Sequence, residues 1–548
     1  MNLAKKSAKI LQSQISGIYK EENDMKRSLF FLMIVSMLLI SMNYCVSAQE
    51  KQVLPLIGSG ENTVARILHI GVIMGTWHEM GVQYGERAGE YILLNYDNGI
   101  TNDILEPSKS GWRKTLETED ERLQYALSHF ERSYQELSYI FPEMVEFLQG
   151  IADGAAPWLA KSKYANLMPN FYKTALISYG EIANIPPPPG TPVAYNEKDD
   201  YGAIGGCNST WISGDVTATG ETYASRTGQS GDFVDGRQIR QVSVIGIPKD
   251  PNANVFWFVA PAGGIAQAGG GIMNAKGVGL LTSGGGSTYP KELTEVAMGH
   301  GAKDFPLSSG CTIFADSALE AATLYTVGTP EYRNKTGRKQ VLTTRASSMV
   351  FVDTNEAYCV EKNANRFAIR RPGYIEKQDT YLIAANDFQY NEGSYDENLM
   401  WRSDQPMTMW SPQKKGTSTY YRFWTLYRNV TTNLGKIDRE LMKRFIVTSH
   451  DIYDQDGKLY PAQEDRNYHP DIPDGPCSHG NLGIPGYPMG GGGNNSNSVM
   501  VLSSAEVYYN EAHPCFFTAE GHESGYDRPW HYVDLKPYAE FRQALWGY

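Results

Sequence analysis

The chain has 548 residues, of which 41% are hydrophobic and 20% charged, proportions that indicate a folded globular protein and exclude a disordered or fibrous one. Its formal net charge is −12, and it has no block rich in Lys and Arg that could follow a phosphate backbone, so we expect no nucleic-acid partner.

The first 48 residues have the pattern of a polar lead-in followed by a secretion signal. Basic residues at 26–27 precede an apolar run from 29 to 42, and Val46-Ser47-Ala48 offers the small residues that signal peptidase needs. We therefore predict a mature protein that begins near Gln49, is exported to the periplasm or the cell exterior, and has no stable membrane insertion once the signal is removed. A membrane anchor is the alternative interpretation, because residues 29–46 approach the minimum of about 17 for a spanning helix.

The segment from 49 to 206 is predicted to be mainly helical. A short apolar run from 67 leads into a helical spacing that continues to 94, and apolar residues recur every three or four positions again in 118–160. The proline run at 186–189 cannot be helix or inner strand, because proline lacks an amide donor and fixes its own backbone. We interpret it as an exposed connector.

Beyond this connector the hydrophobic period changes from helical to extended. Helical patterns return only at 316–327 and 417–447. A large sheet system with helices covering its faces is therefore expected. The β-prone runs are 207–213, 239–247, 254–260, 278–283, 349–353, 357–361, 380–385 and 498–502.

The stretch Gly205-Gly206-Cys207 is the most informative local sequence, because two glycines precede a cysteine that opens a β-prone run. Glycine lets the backbone bend sharply and leaves the Gly206 carbonyl open to the neighbouring thiol. An N-to-S acyl shift and hydrolysis would then make Cys207 a new N-terminal residue. Its α-amine, with an ordinary pKa of about 7.7 to 8.0, would serve as a general base for its own thiol.

A lone cysteine is by default a buried thiol or half of a disulfide. Five cysteines follow the signal, in a compartment that permits disulfides. If Cys207 is the nucleophile, the other four can form two disulfides in any of three pairings. Cys311, which also follows a glycine, is expected to be a structural thiol or a disulfide partner. These four are Cys311, Cys359, Cys477 and Cys515.

Downstream motifs carry a family resemblance. After a turn at 219–221, the run from Thr222 ends in Gly228-Gln229-Ser230-Gly231-Asp232, as a hairpin partner of the cysteine strand would. This order resembles the isopenicillin N acyltransferase family of autoproteolytic N-terminal-nucleophile hydrolases, relatives of the choloylglycine hydrolases. The resemblance implies that Asp232 holds the free α-amine and that Gln229 stands where arginine is frequent. Without it, Asp232 is equally well a turn residue.

Two further segments concern the oxyanion. Ala384–Phe388 resembles the family's Thr-Asn-His-Phe, which makes Asn386 the main oxyanion-hole candidate, and Ser283-Gly284 falls where relatives present an oxyanion-side backbone or asparagine. The alternative for Asn386 is a turn at a strand end. Asn274, in a segment that resembles the family's strand entry, is expected to be a turn residue at positive φ rather than a catalytic group.

The remaining candidates are weaker. Ser418–Phe423 resembles a Ser-x-x-Arg helix start and places Arg422 near the site, although an ordinary helix salt bridge is the favoured alternative. Arg226 and His479 are further pocket candidates. We predict no metal and no cofactor, because Cys477-Ser478-His479 lacks a second ligand pair and 454–457 fits a turn better than a calcium loop.

These observations together predict an α+β protein. The resemblance implies a four-layer αββα sandwich of the N-terminal-nucleophile hydrolase type, in which residues 49–206 form a released chain that stays packed on the catalytic chain 207–548. The expected activity is hydrolysis or transfer at the amide bond of a small N-acyl or peptide substrate through a thioester. A dipeptidase or lipid amidase on the same scaffold, or an uncleaved exported binding protein, are the alternatives.

Overall fold

The computed structural model describes most of the chain from residue 67 onward. The described residues belong to one unit, Asn62–Tyr548. The predicted signal, the proline connector and the candidates Gly206, Asp232, Asn386 and His479 lie outside them. The described ranges are 67–105, 115–179, 207–230, 240–265, 271–284, 302, 304–343, 347–363, 365–385, 388–407, 418–447, 452–460, 493–511, 517–518, 521–522 and 530–548.

The helices fall into three groups along the chain. The first two begin at threonine caps, where Thr76 and Thr118 each exchange hydrogen bonds with a glutamate three residues later. The helices are α1 (Trp77–Gly99), α2 (Glu119–Ser138), α3 (Pro142–Leu159), α4 (Asn170–Tyr179), α5 (Asp304–Phe314), α6 (Ala318–Val327), α7 (Pro330–Thr336), α8 (Ser418–Thr431), α9 (Arg439–Val447) and α10 (Lys536–Trp546).

The larger sheet within the described residues has ten strands, and we call it sheet A. Its first strand is paired in parallel, with Ile67 opposite Gln241, and its other pairings are antiparallel. In spatial order its strands are β1 (Ile67–Gly75), β4 (Gln241–Pro248), β5 (Phe256–Pro261), β6 (Gly271–Asn274), β7 (Gly279–Gly284), β8 (Ser347–Val352), β9 (Ala357–Lys362), β10 (Phe367–Arg370), β12 (Ser394–Tyr395) and β13 (Trp401–Arg402).

The smaller sheet, sheet B, has six described strands, all antiparallel. Two short hairpins accompany it, β14–β15 (Ile452–Tyr453 and Leu459–Tyr460) and β18–β19 (Phe517–Thr518 and Gly521–His522). In spatial order the strands of sheet B are β11 (Tyr381–Ala384), β2 (Cys207–Ile212), β3 (Tyr223–Ser230), β16 (Gly493–Val501), β17 (Glu506–Glu511) and β20 (Trp530–Asp534).

Successive side chains of a strand point to opposite faces of the sheet, so the two faces of each strand show which layers lie on either side of it. In β5, Phe256 and Phe258 pack into a core shared with helices α1–α7, whereas Trp257 and Val259 pack into a core shared with sheet B. In β2, Trp211 joins that inter-sheet core, and the next residue, Ile212, packs with helices α8 and α9. The order is therefore helices, sheet A, sheet B, helices, and the predicted four-layer α+β fold is confirmed.

Glycines set the close approach of α1 and α3. Gly81 and Gly85 on α1 face Gly150 and Gly154 on α3, each pair one helical turn apart. A Cβ atom added at Gly85 would lie 2.2 Å from the Ile151 carbonyl oxygen, so no larger residue fits. The physical role of these glycines is backbone contact between two helices.

The strand predictions agree closely with the structure, since each predicted β-prone run corresponds to a strand. The patterns at 118–160 and 417–447 each break into two helices. Several elements were missed. Among them are helices α4, α5 and α10 and strands β17 and β20, and the apolar run before α1 is β1, an edge strand of sheet A. The described N-terminal segment is thus helical except for one strand, which pairs at the edge of sheet A.

Candidate active site

An antiparallel strand pair with a long connection, residues 213–222, places Cys207 at the start of an inner strand. β2 and β3 pair antiparallel, with Cys207 opposite Gly228 and Ile212 opposite Tyr223. The connection contains Gly220 at φ 73°, a conformation that favours glycine. The predicted hairpin partner of the cysteine strand is therefore confirmed.

The Cys207 side chain points into the space between the two sheets. Residues directly opposite each other in an antiparallel pair share a face, so Cys207 and Ser209 lie on the same face as Trp211 and Ala224, which belong to the inter-sheet core. Cys207 is only 5% exposed. The thiol thus lies inside the sandwich, at the end of the strand where the predicted cleavage would occur.

Arg226 is the charged neighbour of the thiol. It lies on the same inter-sheet face, opposite Ser209, and is 1% exposed. Its Nη2 is 3.5 Å from the Cys207 sulfur, and its Nε donates to the Thr282 carbonyl oxygen of β7 at 2.8 Å. Sheet A therefore fixes the position of the guanidinium that faces the sulfur.

Arg422 holds the same residue from the opposite side of sheet B. Its Nη1 donates to the Cys207 carbonyl oxygen at 2.9 Å and to the Asn208 Oδ1 at 3.0 Å. It projects from α8 and is 2% exposed. Arg422, which the resemblance placed near the site, thus bonds to the strand that begins at Cys207, and its role in the site stays a prediction.

Three other candidates lie on described strands around Cys207. Gln229 follows the Gly228 that opposes Cys207, while Ser283 and Gly284 end β7, paired with Ser348 and Ser347. The Gln229 backbone is thus near the Cys207 end of the hairpin, and Ser283 and Gly284 lie in β7, the strand to which Arg226 donates.

β11 continues sheet B on the other side of β2. Its last residue, Ala384, pairs with Ser209, so β11 ends beside the Cys207 end of β2. Asn386, the oxyanion-hole candidate, follows two residues later and lies outside the described residues, as do Gly206, Asp232 and His479. Their roles stay predictions.

One sequence interpretation needs correction in its geometry. Asn274 does form a turn, since its Oδ1 accepts from the backbone of Lys276 and Val278 at 2.9 and 3.1 Å. The positive φ, however, belongs to Gly277, at 80°, and not to Asn274. Asn274 also donates to the carbonyl oxygens of Thr312 and Ala315, which ties β6 to the end of α5.

The disulfide expectation is also wrong in part. Cys311 and Cys359 are buried free thiols. With these two unpaired, the four remaining cysteines cannot form two disulfides. Cys311 lies within α5, and burial raises the pKa of its thiol well above the ordinary value. Burial likewise raises the pKa of Cys359 to about 12.

Sequence reasoning named Arg226 only as a pocket candidate and missed its contact with sulfur. The signal was available in the alternation of β3. Arg226 is the charged residue at an inward position between Ala224 and Gly228, and a lone inward charge in a sheet requires a partner. The partner on the other sheet, the Thr282 carbonyl, depends on the packing of two sheets and has no local signal.

Neither a metal centre nor a membrane span is found in the part of the chain that the structure describes. No group of three or more His, Cys, Asp or Glu residues there is arranged to bind a metal ion. The helices described are all too short or too polar to cross a bilayer.

The sequence matches no family model and no curated protein sequence. Among solved structures, the chain is similar to a Caenorhabditis elegans N-acylethanolamine-hydrolyzing acid amidase ortholog, with 10% identity and a TM-score of 0.31 over 54% of this chain and 92% of that one. It is also similar to a mutant conjugated bile acid hydrolase from Clostridium perfringens, with 13% identity and a TM-score of 0.29 over 60% and 92%. Penicillin V acylase from Agrobacterium tumefaciens follows, with 9% identity and a TM-score of 0.28 over 60% and 86%. The fold assignment rests on the layer order and cores described above.

Proposed function

We propose that this protein is an exported, self-cleaving amidohydrolase or acyltransferase of the N-terminal-nucleophile type, with Cys207 as its nucleophile. The observation that carries the proposal is the position of the Cys207 sulfur at the first residue of an inner strand, between the sheets, 3.5 Å from the Arg226 guanidinium. The resemblance of the Cys207 hairpin and its following segments to the isopenicillin N acyltransferase family supports the same conclusion.

Self-cleavage would precede turnover. The Cys207 sulfur attacks the Gly206 carbonyl carbon, and the peptide C–N bond breaks with a proton passing to nitrogen, leaving a thioester and a free α-amine. Water then attacks the thioester, which releases the Gly206 carboxylate and the thiol. Arg422 contributes by fixing the Cys207 backbone from the helix side, so that the strand end keeps its place after the chain is cut.

Turnover would reuse the same sulfur. The free α-amine accepts the thiol proton, the sulfur attacks the amide carbonyl of the substrate, and a tetrahedral oxyanion forms. The intermediate collapses as the α-ammonium returns its proton to the leaving amine, and the resulting thioester passes its acyl group to water or another amine. The resemblance gives Asp232 the role of holding the α-amine and Asn386 that of donating to the oxyanion, a contribution typically worth about 10² to 10³ in rate.

The proposed products of cleavage would stay together. β1, which precedes Cys207, lies in register with β4 of sheet A from Ile67 to Gly75, and α1 to α4 share a continuous core with that sheet. Separating the fragments would expose that apolar core to water. The two chains should therefore elute as one particle under native conditions.

Denaturing gel electrophoresis of purified protein tests the proposal directly. The wild type should give two fragments, the Cys207→Ala variant one intact band, and the Cys311→Ala control two fragments again. Edman sequencing of the larger fragment should start Cys-Asn-Ser-Thr.

An intact wild-type chain, or a different starting sequence, contradicts the proposal and favours the uncleaved binding protein. Once cleavage is established, release of product from N-acyl amino acids, bile-salt conjugates and small peptides would identify the substrate class.

A further inference from the structure

A buried cluster of three charged side chains lies beside the nucleophile strand. Arg370 of β10 donates from Nη1 to Glu376 at 2.8 Å and from Nε to Glu361 of β9 at 3.3 Å. The side chains of both glutamates are 0% exposed, and that of Arg370 is 1% exposed. We call these three residues, Glu361, Arg370 and Glu376, the buried charged cluster.

The cluster bonds to the backbone on both sides of the oxyanion-hole candidate in the sequence. On the upstream side, Arg370 Nη2 donates to the Ile383 carbonyl oxygen at 2.7 Å, and Glu376 accepts from the Ile383 amide at 3.0 Å. On the downstream side, the second oxygen of Glu361 accepts from the amides of Gln389 and Tyr390 at 2.7 and 2.8 Å. The chain is therefore anchored three residues before position 386 and three residues after it.

Stability alone is a poor reason for this arrangement. Desolvating three charges is costly, and buried ion pairs are frequently no more stabilising than apolar residues of the same volume. Burial raises the pKa of Glu361, and Arg370 opposes that rise. What charged, multidentate side chains add is geometric definition, because each bond of the cluster has a fixed direction.

The anchored segment is also the neighbour of the nucleophile strand. Ile383 pairs with Thr210 and Ala384 with Ser209 across the β11–β2 ladder. Two sheets thus meet here, since the cluster comes from β9, β10 and the turn that follows them, whereas β11 belongs to sheet B. A displacement of β11 would change the distance between the oxyanion side of the site and Cys207.

We infer that Glu361, Arg370 and Glu376 are positioning residues of the acyl-transfer site, which hold Ile383 and the Gln389–Tyr390 backbone so that β11, which ends two residues before the oxyanion-hole candidate Asn386 in the sequence, stays fixed relative to Cys207. This inference rests on the proposed function. The cluster then contributes to stabilising the transition state. Substrate binding and the intrinsic reactivity of the thiol do not depend on the cluster.

The chain contains a matched control for the buried pair. Glu356, just before β9, accepts from Arg371, just after β10, at 3.2 Å. This second Glu–Arg pair links the same two strands but is exposed, at 38% and 61%. Exposed ion pairs of this kind contribute little, about 0 to 1 kcal/mol.

The experiment compares Glu361→Gln with Glu356→Gln in the mature two-chain protein, normalised to the amount of titratable Cys207. We expect kcat of Glu361→Gln to fall about 10- to 100-fold with KM within twofold, because a misplaced oxyanion donor loses transition-state stabilisation only. An aldehyde analogue of the substrate, whose adduct carries the oxyanion, should lose affinity in parallel. Alkylation of Cys207 by iodoacetamide forms no oxyanion, and its rate should stay within twofold.

The outcomes separate the two proposals. If the wild type shows no Cys-Asn-Ser-Thr fragment and no turnover, the proposed function fails. If the wild type is active and Glu361→Gln matches Glu356→Gln in kcat and aldehyde affinity, the positioning role fails. A parallel loss of thiol alkylation would also overturn it, since that result indicates general disruption.

Folding is controlled with a second variant. Thermal melting followed by circular dichroism checks each protein, and Glu376→Gln, which retains an oxygen to accept from Ile383, should show a smaller fall in kcat of about 3- to 10-fold. If neither Glu361→Gln nor Glu376→Gln folds, the cluster is structural and the inference is rejected.

Discussion

The sequence contains two Gly-Cys dipeptides, 206–207 and 310–311, and the fold gives them opposite surroundings. Cys207 opens a strand between two sheets, with Arg226 at its sulfur and Arg422 at its carbonyl. Cys311 lies in the middle of α5, 0% exposed, within the apolar core beneath sheet A. The two glycines therefore precede cysteines in very different chemical settings.

The comparison shows that burial alone does not make a thiol inert or reactive. Both sulfurs are shielded from water, yet one lies 3.5 Å from a guanidinium and the other belongs to an apolar core, which disfavours negative charge. The glycine before Cys311 has a packing explanation, since a Cβ at Gly310 would lie 2.6 Å from the Phe141 ring. Charge partners supplied by other strands, rather than the local dipeptide, separate the two cysteines.

The largest expected effect is on turnover. Cys207→Ala should reduce kcat by at least about 10³-fold, because removal of a nucleophile eliminates the covalent route. Cys311→Ala should keep kcat within about threefold, since it touches only the helix-side core. Steady-state kinetics on the substrate found by screening would measure both. Comparable losses in the two variants would abolish the distinction between the cysteines.

The next effect is on thiol alkylation in the folded protein. Iodoacetamide should modify Cys207 about 10² times faster than Cys311 or Cys359, because burial raises the pKa of the latter two thiols, whereas the Arg226 guanidinium faces the Cys207 sulfur. Mass spectrometry of peptides after timed labelling at pH 7.5 gives the three rates. Equal rates after unfolding in urea provide the internal control.

A smaller effect should follow from removing the guanidinium beside the nucleophile. Arg226→Met should slow Cys207 alkylation and reduce kcat/KM by about 10- to 100-fold, because a hydrogen bond from a charged group contributes about 1.5 to 3 kcal/mol. Arg371→Met, which removes an exposed arginine, is the matched control and should change neither quantity. An Arg226→Met protein with wild-type alkylation would show that the 3.5 Å contact has no electrostatic consequence.

The smallest effect is alkaline destabilisation by a buried thiol. Cys359 has a pKa of about 12 in the folded protein against 9.0 ordinarily, so at pH 10 the unfolded chain has lost this proton and the folded chain retains it. The unfolded state is then favoured, and stability is lost as pH rises above 9, by on the order of 1 kcal/mol at pH 10.

Cys359→Ala should therefore show a flatter dependence of the free energy of unfolding on pH between 8 and 10. Urea unfolding in a Cys207→Ala background, which keeps the chain uncut, would measure it. Identical slopes with and without Cys359 would contradict the prediction.

Sequence reasoning located the strands well because most carry buried apolar residues in short runs between turn formers, as in 254–260 and 349–353. It did not identify β1, since a strand that leads directly into a long amphipathic helix has the same apolar residues as the helix itself. It placed Arg422 near the site only through the family resemblance, and a helical arginine by itself gives no indication of a bond to a distant carbonyl.

The sequence by itself determined which residue types are available and where strands and helices begin, because these depend on hydrophobic period, caps and turn residues within a few positions. It also singled out Cys207, since two glycines before a strand-initial cysteine are a local feature. Only the tertiary structure decided which charges meet the sulfur, why Cys311 lies in an apolar core, and how Glu361, Arg370 and Glu376 hold both sides of position 386. Those contacts join strands of two different sheets, and the packing of one sheet on another depends on the whole chain rather than on any single stretch of it.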